Sequence, residues 1–237
     1  MASDPSKRAH RNFYGRIRGK ALKPAQKRYL EDLVHLGLTN VTPDENPDRT
    51  PLDPNEVFEG KPVWLEIGFG SGEHIVHQAA QNPDIGFIGC EPYVNGVATL
   101  LGKIKKSGLS NIRVHPGDAR DLMDVLPTGS VAKAFLLYPD PWPKARHHRR
   151  RFVTDEHLTP LADKLVDGAQ FRIATDIPDY VRQALEEAPK AGFHWLAEHP
   201  NDWRKPWGDW LSTRYEQKAL REGRTPHYLT FRKSPKL

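Results

Sequence analysis

The chain has 237 residues, carries 35 Lys and Arg against 30 Asp and Glu for a formal net charge of +5, and contains one cysteine. That length buries a substantial core in one domain with room for an extension, and the lone Cys90 excludes an internal disulfide and fits a reducing compartment. No apolar run approaches the ~18 residues of a membrane span and no hydrophobic stretch follows the charged start as in a secretory signal. The sequence therefore reads as soluble and cytoplasmic, with no membrane partner and a basic balance that favours an acidic one.

In chain order, the first feature is Lys7, Arg8, Arg11, Arg16, Arg18, Lys20, Lys23, Lys27 and Arg28, with no acid among them and Phe13 and Tyr14 interleaved. It lacks the serine enrichment and amphipathic period of a transit peptide, so a nucleic-acid-binding arm is expected. Residues 26–36 have helical spacing at Leu30, Leu33, Val34 and Leu36, with Gly37 as the stop. Residues 42–55, rich in Pro, Asp and Asn, read as a linker. This divides the chain into an arm, short helix and linker at 1–56 and a folded domain at 57–237.

From Val63 onward strand-like and helix-like stretches alternate, the pattern of an α/β fold with a mostly parallel sheet covered on both faces. Strands are predicted at 63–67, 85–90, 112–115, 131–138, 170–175, 193–197 and 227–232. Helices are predicted at 73–81, 94–106, 119–126, 155–166, 178–188 and 214–222.

The first strand runs into Glu66-Ile67-Gly68-Phe69-Gly70-Ser71-Gly72. Gly68, Gly70 and Gly72 let a strand-to-helix turn approach a ligand without Cβ clashes. The spacing differs from the dinucleotide Gly-x-Gly-x-x-Gly and resembles the first motif of S-adenosylmethionine-dependent methyltransferases. The second strand ends at Glu91, where an acid reaches ribose hydroxyls, and the third is followed by Asp118, which also stands where a helix cap belongs. A sulfonium, an ammonium and a ribose diol are all served by carboxylates, whereas a pyrophosphate would be repelled by them.

The fourth strand runs into Tyr138-Pro139-Asp140-Pro141-Trp142-Pro143-Lys144, then Arg146, His147, His148, Arg149, Arg150 and Arg151. The prolines stop the strand and stiffen the loop that carries Asp140. The cationic run reads either as a phosphate-binding surface or as a solvated basic face. His74 and His77 share a helical face without a third ligand, so no metal is expected. Trp203, Trp207 and Trp210 are placed either to stack on a base or to pack under their own loop.

With Arg16-x-Arg18-Gly19-Lys20, Glu66 to His74, Pro139 to Arg151, Ala174-Thr175-Asp176 and Thr213-Arg214-Tyr215-Glu216 in view, nearly the whole chain resembles the bacterial tRNA (guanine-N7-)-methyltransferase family. The resemblance implies a Rossmann-like class I methyltransferase of seven strands. It implies methyl transfer from S-adenosylmethionine to guanine 46 in the variable loop of tRNA. It further implies cofactor contacts from Glu66, Glu91, Asp118 and Asp140, with Asp140 catalytic, and substrate or tRNA contacts from Lys144, Arg146 to Arg151, Asp176 and Thr213 to Glu216. Asp176 and Thr213 also stand at helix starts, where each is placed to cap, with Glu216 completing a capping box. A methyltransferase for a small molecule or protein, and an RNA-binding protein without catalysis, are the competing readings; oligomeric state is open.

Overall fold

The computed structural model describes residues 12–235; Lys7, Arg8 and Arg11 lie outside them. The strands are Val63–Ile67 (β1), Gly86–Cys90 (β2), Ile112–His115 (β3), Val131–Leu137 (β4), Leu165–Thr175 (β5), Phe193–Trp195 (β6) and His227–Lys233 (β7). The helices are Pro24–Glu31 (α1), Leu33–Leu36 (α2), Pro54–Phe58 (α3), Glu73–Gln81 (α4), Val94–Ser107 (α5), Ala119–Val125 (α6), Asp155–Lys164 (α7), Pro178–Glu187 (α8), Asn201–Arg204 (α9) and Arg214–Arg221 (α10).

The sheet order is β3-β2-β1-β4-β5-β7-β6. The first five strands of this order pair in parallel, and β7 runs antiparallel to both β5 and β6. Alternation along the strands separates two faces. Leu65, Ile67, Ile88, Ala134, Leu136, Phe171 and Ile173 pack with Leu122, Leu158, Leu161 and Ala184 of α6, α7 and α8. On the other face Phe87, Ile112 and Val114 meet Ile75, Val97, Leu100 and Leu101 of α4 and α5. Over β4, β5 and β7 no long helix among the described residues covers that second face. Phe135, Leu137, Ala174 and Tyr228 are covered there by Trp207 and Trp210.

The main departures from the sequence expectations lie before β1. The expected helix at 26–36 starts earlier, at Pro24, and breaks into α1 and α2 around Asp32, which meets Lys105 of α5 at 3.4 Å. α1 lies on α5 because Gly102 leaves room for the Tyr29 ring; a Cβ there would stand 2.7 Å from it. The expected linker is a knitted loop. Glu45 accepts from the backbone of Val41 and Thr42, Asn46 bonds Asn40 and Thr50, and Arg49 reaches Asp124 at 3.0 Å. α3 then starts from an Asp53 cap with proline in its first turn. Later, α7 stops at Lys164 rather than Val166, because Leu165 pairs with Val131 and begins β5.

Candidate active site

The carboxyl ends of β1, β2 and β4 open into one cavity of about 730 Å³, at the sheet edge where open α/β folds bind ligands. Gly68 and Gly70 line its floor with φ of 74° and 57°, values that favour glycine, whereas Gly72, also left-handed at 75°, does not line the cavity as expected: a Cβ there would stand 2.5 Å from Leu100 of α5. The start of α5 comes close above them, since a Cβ on Gly96 would lie 2.1 Å from the Gly70 carbonyl oxygen. Glu91 binds this turn to β2: its Oε2 accepts from Gly70 N at 2.7 Å and its Oε1 from Tyr93 N at 3.0 Å. Burial pushes the Glu91 carboxyl up, aided by the like charge of Asp140 and opposed by the two amides and Arg214.

The opposite wall is the loop after β4. Tyr138 and Trp142 hold φ of 49° and 41° in the left-handed region, a strain that persists where surrounding structure over-determines it. Tyr138 N still donates to Ala174 O at 2.7 Å. Asp140 opens to solvent on the cavity side and is crowded by protein on the others. That partial desolvation raises its carboxyl, and the Arg16 charge pulls it down.

Arg151 is the anchor of this loop, not part of its cationic face. Its side chain is 1% exposed. It donates to Pro141 O at 2.9 Å, Asp179 Oδ2 at 2.8 Å and Gln183 Oε1 at 2.9 Å, and lies over the Tyr180 ring at 5.2 Å. The expectation of a tRNA contact from Arg151 is corrected accordingly. Lys144, Arg146 and Arg149 are exposed. Arg150 stacks on Tyr14 and Trp142 at 4.4 and 5.0 Å. His148 lies 3.2 Å from Asp179, and His147 packs edge-on to Trp142.

Other expected site residues fall in different places. Glu66 does not line the cavity: on β1 it points to the face opposite Leu65 and Ile67, buried, with Oε2 2.7 Å from His74 Nδ1. Asp118 lines the cavity and also caps α6, accepting from Arg120 N and Nε at 2.9 Å each. Thr213 is the cap of α10, accepting from Glu216 N at 3.3 Å. Glu216 completes no capping box and turns inward, accepting from Trp210 Nε1 at 2.8 Å and from the Tyr228 hydroxyl. It is buried and away from the cavity, whereas Arg214 and Tyr215 line it. Asp176 caps nothing; it pairs with Arg224 in a second cavity. Trp207 and Trp210 pack under their own loop, edge-on to each other and to Tyr228.

Sequence reasoning missed the third wall. Residues 12–20 cross the cavity, where Phe13, Tyr14, Gly15 and Arg16 line it. Ile17 O accepts from Val94 N at 3.0 Å, Asn95 bonds Gly19 N and Lys20 O, and Arg120 reaches Asn12 O. The interleaved Phe13 and Tyr14 were the available signal. No periodicity marks a strap held by contacts to residues so far along the chain.

The 3-2-1-4-5-7-6 sheet with its reversed seventh strand, together with a glycine turn facing carboxylates, defines a class I methyltransferase. Solved structures agree on the fold: an antibiotic-related methyltransferase superposes with a TM-score of 0.56 at 20% identity over 79% of this chain and 98% of its own. A 16S rRNA methyltransferase gives 0.55 at 19% over 78% and 95%. A family model described as a putative methyltransferase matches residues 60–229. The tRNA (guanine-N(7)-)-methyltransferase of Roseobacter denitrificans is 73% identical, covering 94% of this chain and 97% of its own length. That of Agrobacterium fabrum is 44% identical over 98% and 99%. The chain belongs to the tRNA (guanine-N(7)-)-methyltransferase family.

Proposed function

We propose that this protein transfers the methyl group of S-adenosylmethionine to N7 of guanine 46 in the variable loop of tRNA. The observation that carries the reading is the placement of Glu91 and Asp140 with the Gly68 and Gly70 turn in one cavity, beside the exposed cations Lys144, Arg146 and Arg149. Burial and the nearby charge of Asp140 both disfavour the ionised Glu91, a cost that a cationic ligand relieves, so the donor set suits a sulfonium and a ribose diol. The exposed cations suit a phosphate backbone.

S-adenosylmethionine, when bound, supplies an electrophilic methyl on a positively charged sulfur. The roles proposed for the chain follow from what each residue touches. Gly68 leaves open space beside the turn, Glu91 accepts from ribose hydroxyls, and Asp118 borders the adenine. Glu66 acts at one remove, through His74 at the start of α4. Guanine N7 has an in-plane lone pair and no proton, so the chain needs no strong base. Bound S-adenosylmethionine would yield its methyl to that lone pair and leave as the neutral thioether S-adenosylhomocysteine, so the chain's own task would be to meet the positive charge that develops on the ring. Asp140 is placed to accept from a guanine N–H and to stabilise that charge, with orientation and exclusion of water supplying most of the rate. The strap at 12–20 and the Pro139–Pro143 loop are the groups that exclude water. The target base must leave its tertiary contacts to enter.

The direct experiment incubates purified protein with an unmodified tRNA transcript and S-adenosylmethionine, followed by nucleoside mass spectrometry and chemical cleavage at 7-methylguanosine. A single cleavage at position 46 is expected. Absence of 7-methylguanosine, or cleavage elsewhere, overturns the assignment.

A further inference from the structure

A second cavity of about 550 Å³ opens beyond the end of β5 and the start of β7. It shares the sheet edge of the first, since Tyr138 pairs with Ala174, two residues before Asp176. One wall is a flat aromatic stack: the rings of Trp203 and His227 lie 5.5 Å apart and 11° from parallel. The Arg204 guanidinium lies 4.8 Å from the Trp203 ring. Asp176 and Arg224 pair across the cavity lining.

An aromatic stack, the carboxylate of Asp176, the Arg204 guanidinium over the Trp203 ring and Arg224, which is shared between Asp176 and Glu222, line this one cavity. The rings suit the π face of a nucleobase, Asp176 an N–H on its edge, and Arg204, which has no carboxylate partner among the described residues, its phosphate. None of the residues of this second cavity lines the first one. We propose that the second cavity receives the nucleobase of a nucleotide adjacent to the target guanine, stacked against the Trp203–His227 pair. This rests on the reading of tRNA as substrate. It gives the enzyme a second unstacked base to grip, so that the strand is held on both sides of the sheet end while the target is presented.

The test uses full-length protein and tRNA transcripts in which either neighbour of the target is replaced by 2-aminopurine, with an abasic residue at the same positions. In one of the two transcripts the fluorescence of the bound probe should be quenched by wild-type protein and by Trp203→Phe, and released by Trp203→Ala. The matching abasic transcript should bind wild-type protein roughly ten-fold more weakly, a comparison independent of any effect of Trp203→Ala on folding. Equal fluorescence with wild type and Trp203→Ala, or full affinity for both abasic transcripts, overturns the inference while methylation of the unmodified transcript leaves the functional reading standing. A wild-type protein that fails to methylate that transcript removes the functional reading and this inference with it.

Discussion

Glu91 Oε2 accepts a hydrogen bond from Gly70 N at 2.7 Å, so the acid that ends β2 also sets the glycine turn that ends β1. Glu91→Ala should weaken S-adenosylmethionine binding by about 1.5 to 3 kcal/mol, the usual worth of hydrogen bonds to a charged group. Affinity for tRNA should be nearly intact. Calorimetry on the folded variant decides it, and unchanged cofactor affinity removes Glu91 from the site.

The raised carboxyls of Glu91 and Asp140 give the binding a pH dependence of defined sign. Ionised, both attract a cationic cofactor; protonated, neither does. Affinity should be flat near neutral pH and fall as pH drops through their elevated values, starting above the ordinary carboxylate range of about 4. S-adenosylhomocysteine, with a neutral sulfur, should show a shallower fall. Parallel titrations of both ligands from neutral pH down to about 4, the ordinary carboxylate range, make the comparison, and identical profiles contradict a charge contribution to the sulfonium site.

Asp140→Asn keeps the shape of the side chain and removes its charge. Single-turnover methylation should fall by roughly a hundred-fold or more, the scale of losing one group that stabilises developing charge. Neither wild type nor variant should show a solvent deuterium isotope effect on the methyl-transfer step. Near-normal rates eliminate the electrostatic role, and an isotope effect in wild type identifies a proton transfer that the mechanism does not contain.

Arg151 and its neighbours should separate cleanly. Arg151 is locked to Pro141, Asp179 and Gln183, so Arg151→Ala should cost about 3 kcal/mol of stability by breaking a buried charged network. Replacing exposed Arg146 and Arg149 together with alanine should instead leave stability unchanged and flatten the salt dependence of tRNA binding by about 1.5 units of slope. Denaturant melts and binding across a salt series measure the two effects.

The strands, the glycine turn and the acids at strand ends were legible because each is a local pattern: apolar runs, turn residues and spacing along one stretch of chain. What escaped depends on partners distant in sequence. Nothing near Arg151 announces Asp179 and Gln183, and nothing near Glu216 announces that Tyr228 will take its carboxylate. Glu66 sits in a cofactor motif by spacing, yet strand alternation turns it to the face where His74 waits. The strap at 12–20 acquires its place only once Asn95 and Arg150 exist as surfaces to hold it. The α3 helix escaped for a different reason: its Asp53-Pro54 start is a local capping signal, but it lies in a segment rich in loop residues that reads as a linker.

The central claim is that the reacting atom is guanine N7, and it is tested most directly by two tRNA transcripts that differ at position 46, one with guanosine and one with 7-deazaguanosine. The second replaces N7 with C–H and leaves the Watson–Crick edge unchanged. Both should bind with the same affinity. Labelled methyl from S-adenosylmethionine should enter the guanosine transcript in a single turnover and be absent from the other. Equal incorporation into the two, or none into the guanosine transcript, contradicts the account.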